Sequence, residues 1–200
     1  GEGEVRDTFR ELKELQKMGH LFSEDPYEDY FTNQSKAPQG QPVVKALCLH
    51  IAHDCNLRCR YCFASTGDFG TQRSLMSAET GKKAIDFLIE KSAARRNLEV
   101  DFFGGEPLLN FEVVKEIVHY ALERQRKTGK NFRFTITTNA VLLNEENAKF
   151  INEHMGNVVL SIDGRPQVND SMRRRVDGRG TYSDILPKIM EMADSREQDN

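Results

Sequence analysis

The amino-acid sequence predicts an α/β fold: a parallel sheet built from four successive βα units and preceded by one helix and a linker. Three observations carry this expectation. From Val43 onward the spacing of apolar residues switches repeatedly between two and about three and a half. Strand and helix signals then alternate in order along the chain, which is the pattern of a parallel sheet with crossover helices. Finally, 200 residues of which 38% are hydrophobic are enough to fill one sizeable core.

The elements follow in chain order. Val5, Phe9, Leu12, Leu15 and Met18 recur at helical spacing among Glu, Lys and Arg, so the chain opens on an amphipathic helix ending near Gly19, whose apolar stripe needs a partner. Glu24 to Pro42 is acidic and then rich in Pro, Gln, Gly and Ser, the composition of an extended linker. The expected organisation is therefore a helix and linker over 1–42 and a core domain over 43–200. Within the core, strands are expected at Val43–Ile51, Leu98–Phe103, Phe132–Thr138 and Asn157–Asp163, each bounded by Gly, Asn or Asp. Helices fill the gaps. The first is marked by Ala84, Ile85, Phe87 and Leu88, and the second by Val113, Val114, Ile117, Val118, Ala121 and Leu122 with Asn110 as N-cap. The third starts after Asn144. The fourth carries Ile185, Leu186, Ile189 and Met190, with Ser183 as cap and Pro187 in its first turn.

The third and fourth strands are two-faced. Phe132, Phe134 and Ile136 alternate with Arg133, Thr135 and Thr137, whereas a strand buried on both faces is apolar on both. The polar set, continued by Asn139, lines either the interior of a barrel that holds a polar ligand at the strands' C-terminal ends or the wet face of an open sheet.

Charge excludes several classes. With 28 Lys+Arg against 31 Asp+Glu the net charge is -3, so there is no chain-wide basic field for nucleic acid. Nine acids and four bases in the first thirty residues are the opposite of a secretory or transit leader, and no apolar run is long enough to span a membrane. A cytoplasmic protein is expected. The four cysteines, Cys48, Cys55, Cys59 and Cys62, lie within fifteen residues of one another, where a disulfide scaffold would scatter them.

Cys55, Cys59 and Cys62 give the spacing C-x3-C-x2-C in the loop after the first strand. Structural zinc needs a fourth ligand, for which Cys48, His50 and His53 are the candidates. Three thiolates on a 4Fe-4S cubane instead leave one iron open to something that is not protein. Three unligated thiols are the third possibility. Cys48, on a strand, is expected to pack as a small core hydrophobe.

These cysteines, with aromatic Tyr61 before the last, resemble the C-x3-C-x-aromatic-C motif of the radical S-adenosylmethionine (SAM) enzymes. Phe102-Phe103-Gly104-Gly105-Glu106-Pro107 resembles the family's GGE motif, Thr137-Thr138-Asn139 its TTN and Ser161-Ile162-Asp163-Gly164 its SIDG, in family order and at successive strand ends. The resemblance covers Val43 to about Met190. It implies a partial (βα)6 radical SAM barrel, incomplete in this sequence, with a 4Fe-4S cluster on Cys55, Cys59 and Cys62. It also implies SAM held around Gly104, Gly105 and Glu106, by Asn139, Ser161 and Asp163, and near Tyr61 and Phe63, where the adenine packs. The two glycines are expected to let backbone approach the ligand. Asp170 and Arg173 resemble a D-x2-R pattern that follows SIDG, so Arg173 is expected to clamp the SAM carboxylate, with Arg174 and Arg175 as alternatives.

Leu49 to Cys59 and Cys62 to Gly70 resemble the SCIFF peptide maturases of the SPASM group. That likeness implies formation of Cys-to-Thr thioethers in a Cys-rich precursor peptide, with a ferredoxin or flavodoxin as electron donor. Anaerobic sulfatase-maturating enzymes share the motifs and stand as the alternative, as does a truncated module that binds zinc or a peptide without chemistry. The sequence holds four of the six units and no cysteine after Cys62. Either the sequence is a fragment of such an enzyme, or the remaining barrel units and the auxiliary-cluster domain come from elsewhere.

Overall fold

A computed structural model describes residues 2–23 and 43–196. The chain divides into two compact units, Gly1–Gln41 and Pro42–Asn200. In the first, helix α1 (Glu2–Lys17) is followed by a turn in which Gly19 takes φ +75°. Val5, Phe9, Leu12 and Met18 of the expected stripe are exposed. The linker expected over 24–42 lies outside the described residues.

In the second unit, β1 (Ala46–His53), β4 (Asn97–Gly104), β5 (Asn131–Thr138) and β6 (Asn157–Leu160) pair in parallel in chain order. The two-residue β3 (Ser74–Leu75) adds antiparallel to the outer edge of β1. Helices α2 (Ala78–Lys91), α3 (Phe111–Thr128) and α4 (Glu145–His154) link these strands, so the α/β class with a parallel sheet stands as expected. Among the described residues no helix is long and apolar enough to cross a membrane.

Alternation builds the core. Leu98, Val100 and Phe102 of β4 and Phe132, Phe134 and Ile136 of β5 are buried, and their rings stack along one face, Phe102 on Phe134 at 5.9 Å and Phe134 on Phe132 at 6.0 Å. Ile85 and Leu88 of α2 and Val114, Ile117, Val118 and Ala121 of α3 belong to the same core. Glu99, Asp101 and Arg133 point the other way and are exposed. The sheet thus has one dry face and one wet face, and the wet face rises toward the strands' C-terminal ends.

Several local expectations are corrected. The first strand spans Ala46–His53 rather than Val43–Ile51, and Cys48 is exposed rather than core. Parity explains this: Leu49 and Ile51 take the dry face, which puts Cys48 and His50 on the wet one. The last parallel strand stops at Leu160, so Ser161 to Asp163 form its outgoing loop. Asn110 makes no side-chain cap; its amide donates instead to Ile51 O and Met76 O, tying the entry of α3 to β1. The final helix, α6 (Tyr182–Ser195), begins before Ser183, and Pro187 lies inside it. The cap comes from a distance, because Asp170 Oδ1 accepts from the backbone N–H groups of Thr181 (2.8 Å) and Tyr182 (2.9 Å). The helix α4 starts after Asn144 as expected, and Asn144 caps it, its Oδ1 accepting from Asn147 N while its own N–H donates to Asn147 Oδ1.

Elements beyond the opening helix and the four βα units were not expected, β3 among them. Strand β2 (Leu57–Cys59), inside the cysteine motif, pairs antiparallel with β7 (Arg173–Arg175), and α5 (Pro166–Met172) leads into β7.

The parity reading predicts that Phe102→Ala, which empties a fully buried site, lowers unfolding stability by roughly 3–5 kcal/mol. Glu99→Ala on the wet face should cost less than about 1 kcal/mol, its Lys45 ion pair being exposed. Urea unfolding of both variants checks this, and equal losses would refute the assignment of faces.

Candidate functional site

The four motifs meet above the C-terminal ends of the strands, around a cavity of about 200 Å³. Cys55, Cys59 and Cys62 line it from the loop after β1, Gly104, Gly105 and Glu106 from the end of β4, Asn139 from β5, Ser161 from β6 and Arg173 from β7. Tyr61 and Phe63 also line it. A larger groove of about 730 Å³ lies between α4 and α6 and contains none of these residues.

Each cysteine is half-buried. Asp54 Oδ1 accepts from Cys55 N at 2.8 Å, and Arg58 Nη1 donates to the carbonyls of Cys55 and Leu57, both at 2.7 Å, which fixes the turn. The Cys55 thiol is pushed up to about 11 by burial, and Glu106, Cys59 and Cys62 add to this against the Leu57 N–H that donates to its sulfur. Burial likewise raises Cys59, with Arg173 working against it. Two neighbouring thiols, Cys55 and Cys59, that resist ionisation alone suit a cationic centre, which reverses that balance when it binds. Among the described residues, no three His, Cys, Asp or Glu side chains are spaced to share one metal ion. A cubane presents a separate iron to each thiolate, whereas a single tetrahedral zinc draws its ligands onto one ion. His50 and His53, the candidates for a fourth zinc ligand, pack on Phe69 at 4.5 and 4.8 Å between ring centroids.

Of the three arginines only Arg173 lines the cavity. It pairs with Cys59 across the β2–β7 ribbon and is buried, with Nη1 donating to Tyr61 Oη at 2.6 Å and lying 3.9 Å from Asp163. Its Nε is buried with no hydrogen-bond partner among the described residues. Arg174 is exposed and donates to Asp170 O, while Arg175 pairs with Asp184. Tyr61 Oη in turn donates to Asp163 Oδ2 at 2.7 Å. Ser161 lines the cavity, and its hydroxyl has no partner among the described residues.

Other motif residues hold the rim together. Glu106 is 1% exposed and accepts from Leu108 N (3.0 Å), Thr138 Oγ1 (2.7 Å) and Asn139 N (2.8 Å). Burial raises its pKa, and those three donors and Arg173 oppose the rise. Asn139 Nδ2 donates to Asn56 Oδ1 at 2.8 Å, and its Oδ1 accepts from Val141 N. Both side chains bond protein groups, and both residues also line the cavity. The glycines line it too, with other backbone packed close on the side a Cβ would occupy. A Cβ at Gly104 would overlap Ala52 O, and one at Gly105 would lie 2.6 Å from Asp54 C and 2.8 Å from Gly67 O. Phe63, 78% exposed, stacks on Phe103 at 6.1 Å, in an aromatic group with Phe69 and His50 that the sequence reading did not anticipate. Arg73 was also missed. It bonds Asp54, Thr66 and Asp68 across the loop, and no local pattern marks it.

The family described as a 4Fe-4S single cluster domain matches residues 39–186. A cysteine-type anaerobic sulfatase-maturating enzyme of Clostridium novyi is 31% identical over 153 residues, 73% of this chain and 40% of that protein. The radical SAM cyclopropyl synthase TigE of Paramaledivibacter caminithermalis is 27% identical over 158 residues, 73% of this chain and 32% of that protein. Among solved structures, anSMEcpe with bound AdoMet and the Cp18Cys peptide superposes with a TM-score of 0.64 at 25% identity, covering 76% of this chain and 40% of that one. The chain thus spans well under half the length of these relatives.

The glycine contacts predict that Gly105→Val displaces the cysteine loop. Iron bound after anaerobic reconstitution should fall at least about fivefold in a variant that keeps its far-ultraviolet spectrum, a local loss within an intact fold. Wild-type iron content would mean that the turn has room the structure denies it.

Proposed function

The chain belongs to the radical SAM superfamily, and from that premise we propose that it is the catalytic core of a peptide-modifying enzyme whose 4Fe-4S cluster is held by Cys55, Cys59 and Cys62. The observation that carries the reading is the single cavity in which the three cysteines, Ser161 and Arg173 come together above the parallel sheet. When bound, the cluster would supply the electron that cleaves SAM to methionine and a 5′-deoxyadenosyl radical able to abstract hydrogen from the substrate.

The chain's own residues bind and orient. Arg173, on the cavity wall, offers its guanidinium to the SAM carboxylate, kept in place by Tyr61 and Asp163. Ser161 offers a hydroxyl from the opposite strand end, and Asp163 lies beside it for a ribose hydroxyl. Glu106 and Asn139 fix the two rims between which the ligand lies. Tyr61 and Phe63 give apolar surface for the adenine. An electron carrier of the ferredoxin or flavodoxin kind is the proposed donor, with the cytoplasm as the setting.

For the product, the context around Cys55 and after Cys62 favours a Cys-to-Thr thioether in a Cys-rich precursor peptide. A second reading, maturation of an anaerobic sulfatase, is supported by the Clostridium novyi relative and by the peptide-bound anSMEcpe structure. Mass spectrometry after incubation with SAM and dithionite separates them. Loss of two hydrogens with an internal link in a peptide holding both Cys and Thr supports the first, and modification of a cysteine peptide lacking Thr supports the second. If neither peptide changes, the peptide-modifying reading fails.

Two outcomes test the site. Cys55→Ala, Cys59→Ala and Cys62→Ala should each abolish the absorption at roughly 400 nm of a reconstituted cluster, while exposed Cys48→Ala keeps it. A zinc-loaded, iron-free chain that forms no 5′-deoxyadenosine would replace this reading with that of a binding module. Arg173→Gln should weaken SAM binding about tenfold, the loss of one charge-assisted contact, with cluster absorption retained. Unchanged affinity in equilibrium dialysis would remove Arg173 from the SAM site.

A further inference from the structure

Directly after the last cysteine, the backbone is unusually concentrated in the left-handed region. Ser65 (φ 49°), Thr66 (φ 68°), Gly67 (φ 97°), Phe69 (φ 55°) and Gly70 (φ 70°) all lie there, with only Asp68 between them in an ordinary helical conformation. Such residues persist where surrounding contacts over-determine them. The contacts here are specific. Gly67 N and Phe69 N both donate to Ala64 O at 2.8 Å, and Arg73 reaches across to Asp54, to Thr66 Oγ1 at 3.0 Å and to Asp68 at 3.4 Å. The Phe69 ring is held between His50 and His53.

At the centre of this turn Gly67 is buried. A Cβ there would lie 2.5 Å from Cys55 Cβ, 3.0 Å from Cys55 N and 3.1 Å from Gly105 Cα. Three stretches of chain from different motifs therefore meet at one point, and they can do so only because position 67 has no side chain.

We propose that Gly67 is a positioning residue for the cluster site: its bare backbone seats Cys55 against the Gly104–Gly105 turn, and the Arg73 clasp holds it there. Cys55 precedes Gly67 in sequence, so the place of the first cysteine is set by the segment that follows the last one. The idea that this seat serves iron-sulfur ligation rests on the function proposed above. The seat itself is present in the unloaded chain.

Gly70 supplies the control. It has φ +70° and nothing within 4 Å of an added Cβ, so Gly70→Ala carries the backbone cost without the collision. Two measurements on the full chain test the proposal. In the unloaded protein, iodoacetamide labelling followed by mass mapping should show Cys55 labelled about fivefold faster relative to Cys62 in Gly67→Ala and at the wild-type ratio in Gly70→Ala, because freeing a buried backbone contact raises local opening. After anaerobic reconstitution, Gly67→Ala should bind less iron-sulfur and show an altered electron paramagnetic resonance signal, with Gly70→Ala unchanged. If Gly67→Ala does not fold, Arg73→Ala decides: it removes the clasp from a side chain 35% exposed and should also raise the Cys55 labelling ratio. Wild-type labelling and iron content in both Gly67→Ala and Arg73→Ala would overturn the proposal, as would equal effects from Gly70→Ala. A wild-type chain that binds no cluster would refute the proposed function instead, and the labelling ratios would still decide on Gly67.

Discussion

The arrangement depends on one buried carboxylate. Glu106 leaves β4 and accepts hydrogen bonds from the first turn after it, through Leu108 N, and from the end of β5, through Thr138 Oγ1 and Asn139 N. Hydrogen bonds to a charged group are each worth roughly 1.5–3 kcal/mol, and stranding a buried carboxylate without them costs more, so the two central strand ends cannot separate cheaply. With Asn139 N fixed in this way, the Asn139 side chain is aimed at Asn56, inside the cysteine loop. The carboxylate is thus tied to the cysteine loop through Asn139, whose Nδ2 also lies 3.7 Å from Cys55 Sγ.

Around that anchor the molecule separates packing from chemistry by strand parity. One face of β4 and β5 is a stack of phenylalanines against helices, which gives the rim a rigid base. The polar alternate residues Glu99, Asp101 and Arg133 take no part in that packing, while Ala140, Val141 and Leu143 carry the core on into the loop after β5. Two kinds of wall result. The glycine side is backbone against backbone, at Gly104 with Ala52 and at Gly105 with Asp54 and Gly67. The β2–β7 side is polar, with Tyr61, Asp163 and Arg173 bonded to one another and one guanidinium nitrogen left over. The first wall fixes position and the second supplies a charge.

The fold was largely legible. Phe132, Phe134 and Ile136 alternating with Arg133, Thr135 and Thr137 name both a strand and its two faces, because the period of two is local and the burial it implies is strong. The same rule applied one residue more carefully puts Cys48 on the wet face; treating free cysteine as a small hydrophobe overrode the parity that Leu49 and Ile51 already stated. Cap assignments fared differently. Asn144 and Asn147 cap within four residues and are readable, whereas α6 is capped by Asp170 from eleven and twelve residues away. A side chain that caps across a loop leaves no trace in local spacing.

The sequence alone determined the four βα units, which follow from periodicity, a property of neighbouring residues. The motifs themselves were recognised by their resemblance to the radical SAM family, and their place at successive strand ends put Cys55, Cys59, Cys62, Gly104, Gly105, Asn139 and Ser161 at one end of the sheet. Only the tertiary structure decided the structural partners of each. It bonded Glu106 and Asn139 to protein groups from other segments, put Arg173 rather than Arg174 or Arg175 on the cavity through the pairing of β7 with β2, and packed other backbone against the glycines. Pairings of this kind depend on which atoms from distant segments compete for the same few ångströms, and no spacing within a single segment encodes that competition.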